Sequence, residues 1–143
     1  MANKVFLIDT SAWICALRKD GHTEVRSRVA HLLEKEKILI CGMIKLELLG
    51  GTRSENEYSR LQSRLNALTE IPIHSDIWKS ASHAAFSLRR AGLTIPATDI
   101  LIAVTARYAQ ADLVHVDRHF DMIADHIDLQ VESFVQIVAR LAP

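Results

Sequence analysis

Apolar residues in this chain fall into short continuous runs separated by longer amphipathic stretches. The run from Lys4 to Ile8 stops at Asp9, Thr10 and Ser11, the pattern of a buried strand leading into a helix N-cap. Over 23–35, Val25, Val29, Leu32 and Leu33 recur at helical spacing among charges, so one helix face docks on a sheet. Residues 38–41 form a second buried strand, and 43–49 a helix ended by Gly50 and Gly51. Residues 54–68 read as helix, 71–73 as a short strand, and 76–91 as a longer helix closed by Gly92. After Pro96, Thr98 is the expected N-cap of a well-buried helix running through Ile100–Ala106, with Asp99 in its first turn. Residues 113–116 predict a strand ending at Asp117, 120–124 a helical turn, 129–131 a last short strand, and 134–141 a terminal helix. This alternation argues for an α/β fold with a mainly parallel sheet covered on both faces.

With 143 residues, 49% of them apolar, the chain has the size of one domain, 1–143, around one core. Lys plus Arg and Asp plus Glu number 17 each, so net charge carries no polyanion signature and any nucleic-acid contact must be local. Cys15 and Cys41 lie in apolar stretches without metal-type spacing, which reads as reduced thiols. The apolar run before Asp9 is too short for a secretory segment or a membrane span, and a cytoplasmic protein is expected.

Four acids stand out because each belongs to a different strand-helix unit. Asp9 ends the first strand, Glu47 lies in the first turns after the second, Asp99 opens a helix after a loop, and Asp117 ends the penultimate strand. In open parallel sheets these positions gather along the carboxyl edge, where ligands bind. Carboxylates facing one point repel unless a hard cation offsets them, and an all-oxygen set suits Mg²⁺ or Mn²⁺ better than Zn²⁺. Taken singly, Asp9, Asp99 and Asp117 each also read as helix caps. Glu47 has a poorer structural excuse, since its neighbours Ile44, Leu46, Leu48 and Leu49 suggest a largely buried helix.

The segments around Asp9 (6–14), Glu47 (44–51), Asp99 (96–106) and Asp117 (114–124) together resemble the four motifs of the PIN-domain ribonucleases. More narrowly, the chain is similar to the VapC toxins of bacterial toxin-antitoxin pairs. The resemblance implies a three-layer α/β/α sandwich with Asp9, Glu47, Asp99 and Asp117 as catalytic, metal-binding acids. It also implies Mg²⁺ or Mn²⁺ as cofactor, a homodimer, and a cognate antitoxin whose tail presents Arg to the acids. Thr10 and Ser11 are candidate supporting hydroxyls. Two residues before the fourth acid the family usually has Thr or Ser; here His115 stands there, so that hydroxyl's role is either absent or taken by imidazole. Asp121 matches a position that is sometimes acidic, an auxiliary ligand through water or a solvated helix-face residue.

The chemistry so implied is metal-assisted hydrolysis of RNA phosphodiesters, with no nucleophilic side chain. Arg18, Lys19, Lys45, Arg53 and Arg118 are candidate phosphate contacts, and Trp13 and Phe120 candidate stacking residues, Trp13 being more at home in a core or dimer contact. The seven histidines, His115 and His119 among them, show no paired spacing and read as surface or cap residues. A dehalogenase-type phosphatase needs a second Asp where Ser11 stands, and a receiver domain needs a late Lys where Arg118 follows Asp117. The alternatives that survive are a housekeeping nuclease without an antitoxin and a catalytically silent, metal-dependent RNA-binding module.

Overall fold

The structure is a computed structural model and describes residues 4–141. Residues 1–3, which the N-terminal reading includes, lie outside the described residues. The chain runs β1 (Val5–Ile8), α1 (Thr10–Leu17), α2 (Thr23–Lys35), β2 (Lys37–Cys41), α3 (Gly42–Gly50), α4 (Glu55–Asn66) and β3 (Thr69–Ile71). It continues through α5 (Ser75–Arg90), α6 (Ala97–Tyr108), β4 (Asp112–His115), α7 (Arg118–Ala124), β5 (Val131–Ser133) and α8 (Val135–Leu141). The strands form one parallel sheet in the order β3-β2-β1-β4-β5.

Consecutive residues of β1, β2 and β4 are buried. Because successive strand side chains point to opposite faces, such runs require helices on both sides of the sheet. The strand order reverses at β1: the chain first moves outward through β2 and β3, then returns to place β4 on the other side of β1. That reversal opens a crevice between the carboxyl ends of β1 and β4, the usual ligand position of open α/β sheets. Leu7 and Ile8 pair with Leu113 and Val114 across it, and the Asp9 N–H donates to the Val114 carbonyl at 2.9 Å. The first and fourth acids are thereby fixed on adjacent strand ends.

Helix α6 is buried on every side from Ile100 to Ala106, and the one hydroxyl in that stretch, Thr105 Oγ1, donates to the Leu101 carbonyl at 2.7 Å. An all-round apolar helix belongs inside a fold, so α6 packs between α5 and α7 and carries Asp99 to the same edge. Gly21 closes the turn after α1 where the chain passes against itself: a Cβ there would lie 1.8 Å from the Cys15 carbonyl oxygen.

Among the element boundaries that differ from the hydrophobic pattern, three have a direct cause in the backbone. The strand expected at 71–73 is Thr69–Ile71, because Pro72 lacks the N–H that would extend the ladder. The strand expected at 129–131 is Val131–Ser133, whose pairing begins where Leu113 N–H meets the Gln130 carbonyl. Pro96, rather than Thr98, caps α6: its carbonyl accepts the Asp99 and Ile100 N–H groups, leaving Thr98 as the second helical residue.

Candidate functional site

Asp9 is 3% exposed and caps α1. Its Oδ2 accepts the Ser11 N–H at 3.0 Å and the Ser11 hydroxyl at 2.7 Å. The same hydroxyl accepts the Val116 N–H at 3.0 Å, so Ser11 joins the first acid to the end of β4. Burial pushes the Asp9 carboxyl up to about 6; the Ser11 and Thr10 donors work against that rise, and the charge of Asp99 adds to it.

Glu47 lies on α3, which buries Ile44 and Leu48 but leaves Leu46 65% exposed and Glu47 itself exposed. The expectation of an acid on a largely buried helix is corrected here: α3 lies at the rim, and Glu47 is a solvated acid held by one neighbour. That neighbour is Thr10, whose Oγ1 donates to Glu47 Oε1 at 2.8 Å.

Asp99 is in the first turn of α6, as its sequence position predicts, and its side chain is 14% exposed. Burial raises its pKa first, followed by the charges of Asp117 and, more weakly, Glu47; His119 works in the opposite direction. Asp117 caps α7, its Oδ1 accepting the His119 N–H at 2.9 Å. Asp9 therefore responds to Asp99, and Asp99 to both Asp117 and Glu47. The four acids share one electrostatic neighbourhood at the carboxyl edge of the sheet.

His119 is the residue that sequence spacing misses. Its Nδ1 lies 3.0 Å from Asp99 Oδ2 and 3.2 Å from Asp117 Oδ1, between the third and fourth acids. Donor atoms of Asp99, Asp117 and His119 lie within 4.8 Å of one another, close enough to share one ion. Two carboxylates and an imidazole, with Asp9 and Glu47 in electrostatic reach of Asp99, are a donor set that fits a divalent cation. The surface or cap role read for this histidine gives way to a place inside the acid cluster.

His115 is fully buried, and its Nδ1 accepts the Asp117 N–H at 3.1 Å. Burial lowers its pKa despite Asp121, whose Oδ1 lies 3.1 Å from Nε2. Where the resembling family has a hydroxyl, imidazole holds the backbone of the fourth acid. Asp121 also accepts the Ser133 hydroxyl at 2.9 Å, so its two oxygens face His115 and β5.

The candidate RNA contacts separate into groups. Arg18 and Arg53 line a groove of about 480 Å³ that Glu47, Ile14, Leu17 and Thr52 also line. Lys45 is instead paired with Glu70 at 2.5 Å and with Asn66 at 3.1 Å. Lys19 and Arg118 are exposed. Phe120 is 0% exposed and packs on the His115 ring at 5.2 Å, which removes it as a stacking surface. Trp13, 6% exposed, is a core residue.

Residues 6–126 match the PIN domain family. A VapC ribonuclease of Mycobacterium bovis is 35% identical over 135 residues, spanning 91% of this chain and 99% of the relative. Ribonuclease VapC18 of Mycobacterium tuberculosis is 32% identical, over 84% of this chain and 88% of its own. Among solved structures, VapBC2 from Rickettsia felis bound to a DNA fragment from its promoter has a similar fold. The TM-score is 0.74 at 22% identity, over 90% of this chain and 98% of that one.

Proposed function

This chain belongs to the PIN-domain family, among the VapC ribonucleases, and from that premise we propose that it is a metal-dependent endoribonuclease and the toxin of a toxin-antitoxin pair. The observation that carries this reading is the gathering of acids from four strand-helix units toward the sheet's switch point, two of them, Asp9 and Asp99, with carboxyls raised by burial and by the charge of a neighbouring acid. Asp9, Glu47, Asp99 and Asp117 are the proposed metal-binding and catalytic acids, with Mg²⁺ or Mn²⁺ the cation their oxygens suit. Such a cation, when bound, supplies a Lewis acid that activates water and offsets charge developing on the phosphate.

The protein's own contribution is to hold the acids in place. Ser11 fixes Asp9 against β4, Thr10 fixes Glu47 against α1, and His115 fixes the backbone at Asp117. Arg18 and Arg53, in the groove bordered by Glu47, are placed to meet the phosphates of a strand approaching the acids. The same groove carries exposed Ile14 and Leu17, which suits an antitoxin segment laid along it with Arg aimed at the carboxylates. The functional unit is a homodimer of single-domain chains, 1–143, acting in the cytoplasm; no helix among the described residues is long and apolar enough to cross a membrane.

Two experiments test this. Metal-free protein incubated with RNA should cut only after Mg²⁺ or Mn²⁺ is restored; equal cleavage in excess EDTA removes the metal, and no cleavage under any condition leaves the silent binding module. Induction in cells should arrest growth, with relief on co-expression of a neighbouring small gene. Normal growth with active protein present would place the chain among housekeeping nucleases.

A further inference from the structure

His119 is held between two of the acids. Its backbone N–H is fixed on Asp117 Oδ1, and the next residue, Phe120, is anchored fully inside the core, so the first turn of α7 has little freedom. The ring is turned toward Asp99, twenty residues earlier in the chain, and is 29% exposed. The spacing of the three donors is informative. Two ligands bound side by side to an octahedral ion, each about 2.1 Å from it, lie about 3.0 Å apart. His119 Nδ1 lies 3.0 and 3.2 Å from one oxygen of each neighbouring acid. His115, the neighbouring histidine at this edge, is occupied elsewhere: its Nδ1 accepts the Asp117 N–H while its Nε2 faces Asp121.

We propose that His119 is a metal ligand beside Asp99 and Asp117, and that its nitrogen gives the site a preference for Mn²⁺ over Mg²⁺. The inference rests on the metal-dependent reading above and deepens it. Water and carboxylate oxygens serve Mg²⁺ as well as Mn²⁺, whereas imidazole favours ions further along the transition row, so one nitrogen in an oxygen site tilts selectivity.

The test uses full-length, metal-free protein and needs no RNA. Mn²⁺ binding is followed by loss of the free-ion electron paramagnetic resonance signal, Mg²⁺ by competition, and the bound Mn²⁺ is examined by pulsed methods for coupling to ¹⁴N. Wild-type protein should show one imidazole coupling. His119→Asn, which keeps a hydrogen-bonding amide near the Nδ1 position, should lose that coupling and weaken Mn²⁺ binding by about tenfold or more. Mg²⁺ affinity should change far less, so the Mn²⁺ to Mg²⁺ ratio collapses. A wild-type spectrum without nitrogen coupling, or a coupling that survives in the variant, overturns His119 as a ligand and leaves the acids as the site. Absence of binding by either ion overturns the metal reading itself, and this inference with it.

Discussion

Replacing Asp9 by Asn should make the metal-free protein more stable at neutral pH. Asp9 is 3% exposed, and its carboxyl is raised from 3.8 to about 6, chiefly by burial. A shift of about two pKa units, at about 1.4 kcal/mol each, means that holding Asp9 ionised costs the fold about 3 kcal/mol above pH 6. Because the folded-state pKa is the higher one, the native protein binds the extra proton between about pH 6 and pH 4. Stability from this group is therefore lost as pH rises through about 6 and recovered as it falls toward 4. Asn abolishes the charge and can still accept both Ser11 donors, since both fall on one oxygen. Allowing for imperfect placement of the new amide, the gain should be about 1–3 kcal/mol at pH 7.5, or about 4–12 °C in Tm. Thermal melts of both proteins in EDTA from pH 4 to 8 measure it. The gap between them should close toward pH 4. An Asp9→Asn protein less stable than wild type at pH 7.5, or a gap independent of pH, would mean that the buried charge of Asp9 does not cost the fold stability.

Other perturbations separate support from chemistry. Thr10→Val removes the 2.8 Å bond to Glu47 and should slow cleavage about tenfold with little change in urea midpoint, read by initial rates beside an unfolding curve. Ser11→Ala strips Asp9 of a donor and the Val116 N–H of its acceptor; it should lower stability by about 1–3 kcal/mol in urea and push the Asp9 carboxyl higher still. Gly21→Ala drives a Cβ toward the Cys15 carbonyl, and should cost about 2 kcal/mol or more by the same assay.

What the chain discloses in its sequence follows from where each signal arises. β1, β2 and β4 lie inside a parallel sheet and are buried on both faces, so they show as unbroken apolar runs. β3 and β5 are three-residue edge strands, too short to carry a pattern, and each is displaced by two residues from the nearest apolar pair. Asp9 and Asp117 are legible because strand ends mark them. Glu47 is a different matter: counting apolar neighbours along the chain misjudged α3, which turns Leu46 and Glu47 outward at the rim. Phe120, a plausible stacking residue by type, is consumed by the core. His119 is not marked by spacing, because its meeting with Asp99 depends on how α6 and α7 pack across nineteen residues of intervening chain. The nearest available signal was its place two residues after Asp117 in a capped turn.

If the four acids act as one site, the cleavage rates of four single variants will show it. Asp9→Asn, Glu47→Gln, Asp99→Asn and Asp117→Asn, each shown to be folded, should lose about a hundredfold or more of wild-type activity on the same RNA at saturating Mg²⁺ or Mn²⁺. Wild-type rates in two or more of them would contradict a shared centre at the junction of β1 and β4.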